Sequence, residues 1–477
     1  MHRYLALLFC AGCVGGIPSH PRELTLTPRA AEPPRPEKHR TVLAANVPAY
    51  LGRDAAAPAL KVTLLFHTGA WLDPAGKEGL AEAAAALFRM GGTTRLSPEE
   101  LDLALEDKAI SIAAEAQPDS FSVTVWSLTR GMDDALALLA EMLRTPRVDP
   151  ERLDVWKAQR TEALRAIHDR PDEILRLYWR DLMWGRDHVI GARPSRASIA
   201  ALSPDDIKTW LAKWLTPANC ILAATSDLPT ADLKAALEKH LAAWEGPRPS
   251  WPEIPAPPPP EPRGVFFVNR ELQQCAVRLG HLSITYGSPE YIPFLVLAEA
   301  LGGGSFQSRL TARVRVQEGL TYGIAAHVVP GWMFPGTVIV QFNTDAPRAA
   351  HALAITVEEI ARIAAQGLPE DELAATKQTM IARFAGMFED LHGALAGLAM
   401  LEYQGRPPDF YTTYVEKIRA VTSADIAARA AAFMKPGDLR VLIAGNPEKF
   451  KEGAAKDKIA LEAFGPLTEL PIRDPMK

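Results

Sequence analysis

The sequence predicts an α+β fold written twice in one chain, and three observations carry that expectation. A proline run divides the chain near its middle. Segments on either side of it match each other at a constant register. Within each half, short apolar strand signals alternate with amphipathic helices. With 477 residues the chain is too long for one core and suggests two to three domains. It is 48% hydrophobic, and 52 Lys and Arg stand against 57 Asp and Glu. That balance is globular and mildly acidic, which excludes the basic footprint of a nucleic-acid-binding protein.

Taken in order, the chain opens with MHRYLALLFCAGCVGG. His2 and Arg3 precede an apolar run from Tyr4 to Val14, too short to span a membrane and suited to a secretory signal. Ala11-Gly12-Cys13 is similar to the end of a bacterial lipobox, with Cys13 the candidate for lipidation. Cys10 stands where a Leu is usual, so a lipidated and a soluble form both stay open. The expected location is periplasmic or attached to the outer membrane, with any membrane anchoring through Cys13. The rest of residues 1–40 is rich in Pro and Arg and reads as a flexible tether.

A strand is expected over 60–68 (LKVTLLFHT). The stretch GLAEAAAALFRMGGT, residues 79 to 93, then predicts a short helix that begins at Gly79 and ends at Gly91-Gly92. Leu80, Leu87 and Phe88 share one face. The other face carries Glu82 and then alanines, where polar chemistry is expected. FSVTVW (121–126) reads as a strand. Residues 151–168 read as a helix with Leu153, Trp156, Leu164 and Ile167 on one side. Next comes LSPDDIKTWLAKWLTPANCILAA (202–224), a capped helix, a Pro turn and an apolar strand.

Residues 246–263, GPRPSWPEIPAPPPPEPR, cannot join a helix or a central strand and extend as polyproline II. They separate a domain at 41–245 from one at 264–477. The second half begins with a strand signal at 265–268, continues with one at 337–342, and closes with VTSADIAARAAAFMKPGDLRVLI (421–443) and RVLIAG (440–445). An offset of 219 superposes Asp206 on Asp425, Ile207 on Ile426, Trp214 on Phe433 and Pro217 on Pro436. An offset of 211 aligns Gly69 with Gly280 and Gly91-Gly92 with Gly302-Gly303. Such agreement in separate regions points to an ancient duplication. Strands joined by hairpins, with helices grouped between them, argue for α+β rather than a Rossmann sheet.

The usual catalytic patterns are missing. No two of the eleven histidines lie three to five residues apart, so no helical zinc pair exists. His67, His168 and His281 read as surface or satisfied core residues. There is no G-x-S-x-G elbow, no P-loop lysine behind the LGGGS of 301–305, and no CxxC. Cys220 and Cys275 lie in apolar runs and read as buried thiols, with a disulfide between the halves left open.

LGGGSFQSRLTARVRVQEGLTYGIAAHV (301–328) resembles the corresponding segment of M16 peptidases, the pitrilysin and mitochondrial-processing-peptidase superfamily. Its R-x-x-x-G-L-x-Y context matches Arg315, Gly319, Leu320 and Tyr322. The resemblance covers nearly the whole mature chain and implies two duplicated domains, each an antiparallel-rich sheet packed with helices. It also implies a zinc motif, H-x-x-E-H, on the helix after Gly-Leu-Ala. Here Glu82 stands at the first ligand, Ala85 at the general base and Ala86 at the second ligand; Glu162 corresponds to the third. Those residues cannot complete a three-ligand site with an activated water, and a methyl group cannot accept a proton. Glu82 and Glu162 then read as helix charges facing solvent.

The resemblance therefore implies a chain with no cofactor of its own and inactive alone. Its expected partner is an HxxEH-containing M16 subunit that carries the zinc and acts on peptides. Arg315 and Tyr322 are the candidate catalytic residues, lent to that subunit. The alternative is a structural or peptide-binding protein on the same scaffold with no role in proteolysis.

Overall fold

The computed structural model describes residues 32–304 and 306–472. The leader, Cys13 and most of the tether lie outside those residues. Residues 36–40, expected to be flexible, instead form a helical turn, Pro36–His39, and the first residue of a strand. Pro36 is buried and Arg40 is tied to Glu402, which is why this end of the tether is ordered.

Each half builds one six-stranded sheet. The first contains β1 (Arg40–Val42), β2 (Pro48–Arg53), β3 (Ala59–Phe66), β4 (Ser111–Ala116), β5 (Phe121–Leu128) and β6 (Cys220–Ser226), in the order β1-β2-β6-β3-β5-β4. The second contains β7 (Gly264–Asn269), β8 (Gln274–Leu282), β9 (Ile324–Val329), β10 (Thr337–Asp345), β11 (Arg440–Gly445) and β12 (Leu467–Leu470), in the order β12-β7-β11-β8-β10-β9. Without the outermost β1 and β12 the two orders are the same. In both, the first pair that remains is parallel, β2 with β6 and β7 with β11, and the three pairings that follow it are antiparallel. The α+β duplication predicted from the sequence is the architecture observed.

Local chemistry repeats with it. Ser203 and Asp206 form a capping box on the helix Pro204–Trp214, and Thr422 and Asp425 form the same box on Ser423–Phe433. Trp214 and Phe433, at the far ends of those helices, are both buried. A Cβ on Gly69 would lie 2.5 Å from the Pro118 carbonyl oxygen, and one on Gly280 would lie 1.9 Å from that of Val338. The same close backbone approach therefore holds a glycine at both equivalent positions. His281 lies inside β8 and is a satisfied core residue. Its Nδ1 faces the Leu282 carbonyl and its Nε2 accepts from the Lys435 amide. Cys220 and Cys275 are buried free thiols in central strands, so no disulfide joins the halves.

The helices of each half cover only one face of its own sheet. The other face is covered by a helix from the opposite half. In Pro171–Trp184, Ile174, Leu175, Tyr178 and Leu182 pack on Phe266, Val268 and Leu442 of the second sheet. In Leu391–Tyr403, Leu395, Leu398 and Leu401 pack on Tyr50, Leu65 and Ile221 of the first. The two helices occupy equivalent places in the repeat: 171 and 391 differ by 220, 184 and 403 by 219. Polar contacts fringe this exchange. Glu402 accepts from Arg40 at 2.9 Å and from the Tyr50 hydroxyl at 2.7 Å. His392 sits between the hydroxyls of Thr63 and Thr225, at 3.0 and 3.3 Å.

An aromatic clasp closes one end. The His67 ring stacks on Tyr403 with centroids 4.2 Å apart, Trp332 lies 5.2 Å from Trp71, and Trp251 lies 5.6 Å from both His67 and Trp332. The cluster thus draws from both halves and from the proline-rich stretch. That stretch has no helix or strand, yet it is pinned: Trp251 Nε1 donates to the His67 carbonyl at 3.1 Å and the Glu261 amide to that of Leu182 at 3.1 Å. Among the described residues no helix is long and apolar enough to cross a membrane.

Two predictions follow from this packing. Burial, aided by Arg248, pushes the His67 imidazole down to about 4; burial does the same for His392, against the partial counter-effect of Asp390. The unfolded chain binds these protons near pH 6.5 and the folded chain only near pH 4. Stability is therefore lost as pH falls from 6.5 towards 4, by up to about 3 kcal/mol for each histidine. Thermal melts across that window should show a fall that His67→Gln and His392→Gln together flatten. Leu398→Ala, which empties a fully packed site on the first sheet, should cost roughly 2–5 kcal/mol in denaturant unfolding.

Candidate functional site

The helix Leu80–Met90 starts at Gly79, whose φ of 100° places it in the left-handed region that glycine tolerates. Asp73 holds this start by accepting from the amides of Gly79 at 2.8 Å and Ala81 at 2.9 Å. Burial pushes the Asp73 carboxyl up to about 7 in spite of those bonds, and the nearby Glu82 charge adds to the rise. Leu80, Leu87 and Phe88 enter the core as the spacing predicts. The expected polar face does not exist as such. Ala83, Ala84 and Ala85 are also in the core, with Ala85 only 5% exposed. Only Glu82 and Ala86 of the motif positions are half-buried.

Glu82 meets a cation. Arg160, on the neighbouring helix Pro150–Arg165, grips its carboxylate with Nε at 2.6 Å and Nη2 at 3.1 Å. Glu162, two residues further on, faces a different side of that helix. It is exposed and pairs with Arg165 at 3.0 Å. The structure therefore brings Arg160, not Glu162, to Glu82. Among the described residues no group of three or more His, Cys, Asp or Glu could hold a metal ion.

Beside Glu82 lies a cavity of about 740 Å³. Its walls come from the two helices just described, the crossing helix Pro171–Trp184 and the returning segment 186–195. Arginines dominate them: Arg160, Arg170, Arg176, Arg180, Arg186 and Arg193. Sequence reasoning missed this feature. The signal was present as an arginine recurring every four to seven residues from 160 to 193, across segments that only the fold brings together.

Arg315 and Tyr322 lie elsewhere, and neither lines that cavity. Arg315 is in a seven-residue π-helix, Thr311–Gln317, a rare form often found at functional sites. Its guanidinium lies 4.7 Å from the centroid of Phe306, itself 65% exposed. Tyr322 is 89% exposed on a loop whose backbone is firmly held. Arg348 donates to the carbonyls of Glu318 and Gly319 at 3.0 and 3.1 Å. The hydroxyls of Thr344 and Thr321 donate to the carbonyls of Leu320 and Asn343, both at 2.6 Å. A rigid loop thus presents a phenol to solvent.

Residues 50–189 match the family described as insulinase (peptidase family M16), and residues 201–380 match the peptidase M16 inactive domain. A Helicobacter pylori protein named non-peptidase homolog YmxG is 23% identical over 423 residues, covering 87% of this chain and 95% of that protein. The fold is similar to a peptidase M16 inactive domain from Pseudomonas fluorescens, with a TM-score of 0.77 at 20% identity, covering 85% of this chain and 97% of that one. It is also similar to a protease from Helicobacter pylori, with a TM-score of 0.72 at 17% identity over 86% and 99% of the two chains.

With one carboxylate already paired to Arg160, the chain should not retain zinc. After equilibration with zinc and gel filtration, elemental analysis should find less than about 0.1 equivalent per chain, since a catalytic site needs three protein ligands.

Proposed function

We propose, from the premise that the chain belongs to the M16 peptidase family but lacks its metal-binding residues, that it is the non-catalytic subunit of a two-subunit zinc peptidase. Its partner would carry an intact HxxEH motif and the zinc, and the pair would act on peptides. The observation that carries this reading is the contrast between two regions. The motif helix keeps its fold with its ligand positions reduced to Glu82, Ala85 and Ala86. The loop bearing Tyr322 is braced by four side-chain hydrogen bonds, yet Tyr322 itself is turned to solvent.

In such a complex the roles follow from the groups. A partner closing over Tyr322 would exclude water, so that its hydroxyl could donate to the oxyanion of the tetrahedral intermediate. Arg315 could grip a peptide carbonyl or carboxylate, and the π-helix turn under it would set its reach. The relative named a non-peptidase homolog supports the absence of independent activity. The leader suggests that the complex works outside the cytoplasm, soluble or held by lipid on Cys13. Mass spectrometry of the mature N-terminus separates those two forms.

The test is to co-purify the chain with an HxxEH partner and assay a fluorogenic oligopeptide. Tyr322→Phe should lower kcat of the complex by roughly 10²-fold, as for loss of one oxyanion donor. Arg315→Ala should chiefly raise KM. If the complex forms and both variants turn over peptide as the parent does, the catalytic role fails. The chain would then be a scaffold without a part in proteolysis.

A further inference from the structure

We propose that the arginine-lined cavity beside Glu82, the first of the motif positions, binds an organic ligand bearing two or more carboxylates. The inference needs no partner subunit and no turnover, so it stands or falls apart from the preceding reading.

Size and shape come first. A volume of about 740 Å³ lies in the range of small-molecule and short-peptide sites. One wall is apolar, formed by Leu164, Ile167 and Leu177, which suits a carbon skeleton rather than a bare inorganic ion.

Charge is the stronger argument. The six lining arginines face four lining acids, Glu78, Glu82, Glu173 and Asp187. Arg160 is matched by Glu82 at 2.6 Å, Arg176 by Glu173 at 3.1 Å, and Arg193 by Asp181 from behind the wall. Among the described residues Arg170, Arg180 and Arg186 have no ion-pair partner. Glu78 is turned to the Gly76 amide at 2.9 Å, and Asp187 is exposed.

Arg180 is the deepest of the three. It is half-buried, and its guanidinium donates to the Ile190 carbonyl rather than to a carboxylate. Burial and the neighbouring Arg193 both oppose its charge and push it down to about 10, against a smaller favourable contribution from Glu82, whose carboxylate Arg160 already grips; burial and Arg186 likewise push Arg193 down to about 10. Holding a partly buried cation with no carboxylate of its own in contact is costly. An anion entering the cavity removes that cost, and the planar fork of each guanidinium accommodates a carboxylate through two parallel N–H···O bonds. Clustered carboxylates could come from a free polycarboxylate or from acidic residues of a peptide.

Calorimetric titration of the purified chain at low ionic strength distinguishes these sources. The probes are tricarballylate, N-acetyl-tetraglutamate amide and inorganic phosphate. Saturable one-to-one binding of tricarballylate or of the peptide is expected, weakening with added salt. Arg180→Gln and the exposed Arg186→Gln should each weaken it about tenfold or more, whereas Arg362→Gln on the second half should not. Arg180→Gln should melt no lower than the parent without ligand, and the bound probe should raise the melting temperature of the parent only. Binding of the peptide alone assigns the site to peptides; binding of tricarballylate alone assigns it to small molecules. No binding of either at millimolar concentration, equal binding of phosphate, or unchanged affinity in both arginine variants would overturn the proposal.

Discussion

The architecture depends on one constraint: a sheet has two faces, and each half of this chain supplies helices for only one of them. A sheet largely antiparallel can leave a face to water, but both of these sheets are apolar on both sides. The outer faces carry Tyr50, Leu65 and Ile221 in one half and Phe266, Val268 and Leu442 in the other. The helices Pro171–Trp184 and Leu391–Tyr403 cross over to cover them, each burying several large side chains worth roughly 1.5–3 kcal/mol apiece. Everything else that joins the halves follows that exchange. The bond from Glu402 to Tyr50, the seat of His392 and the stacking of Tyr403 on His67 all come from the crossing helix or its ends.

The same economy explains how the motif helix persists without its motif. Leu80, Ala81, Ala83, Ala84, Leu87 and Phe88 are nearly or wholly buried, and Asp73 ties down the helix start. Positions 82 and 86 add only a half-buried ion pair with Arg160 and one methyl group at the edge of the core. Ligand residues of a metal site contribute chemistry here rather than folding energy, so their loss leaves the framework in place. What changes is the electrostatic demand. A site that no longer neutralises a dication is free to accumulate guanidinium groups, and Arg160 now occupies the approach to Glu82.

Much of this was legible before any coordinates. The 219-residue register reflects matching capping boxes, Ser203 with Asp206 and Thr422 with Asp425, because a helix start leaves a local signature. The 211-residue register reflects the tight backbone approach at Gly69 and Gly280. Other features were hidden for physical reasons. PAYLGR and SIAAEA form β2 and β4, but neither has the β-branched alternation that marks a strand in isolation. The apolar stripe of Pro171–Trp184 shows that it packs, not that its partners lie in another sheet, on strands as distant in the chain as β8 and β11. The arginine cavity and the aromatic clasp gather residues from distant segments, and only the closed fold makes them neighbours. Arg315 and Tyr322 were found through a family resemblance; composition alone offers no reason to choose them.

The reciprocal crossing has one more consequence, for ancestry. Two equivalent helices each shield the other repeat's sheet, which is the arrangement of an isologous pair in which each member lends the same element to its mate. A chain holding a single copy of the repeat would expose a sheet face the size of a helix, and the natural remedy is to associate with another like itself and trade helices. The internal duplication thus carries the geometry of a symmetric dimer made covalent. Once both copies shared one chain, they no longer had to remain identical. Each was then free to diverge, one at the helix bearing Glu82 and the other at the braced loop bearing Tyr322.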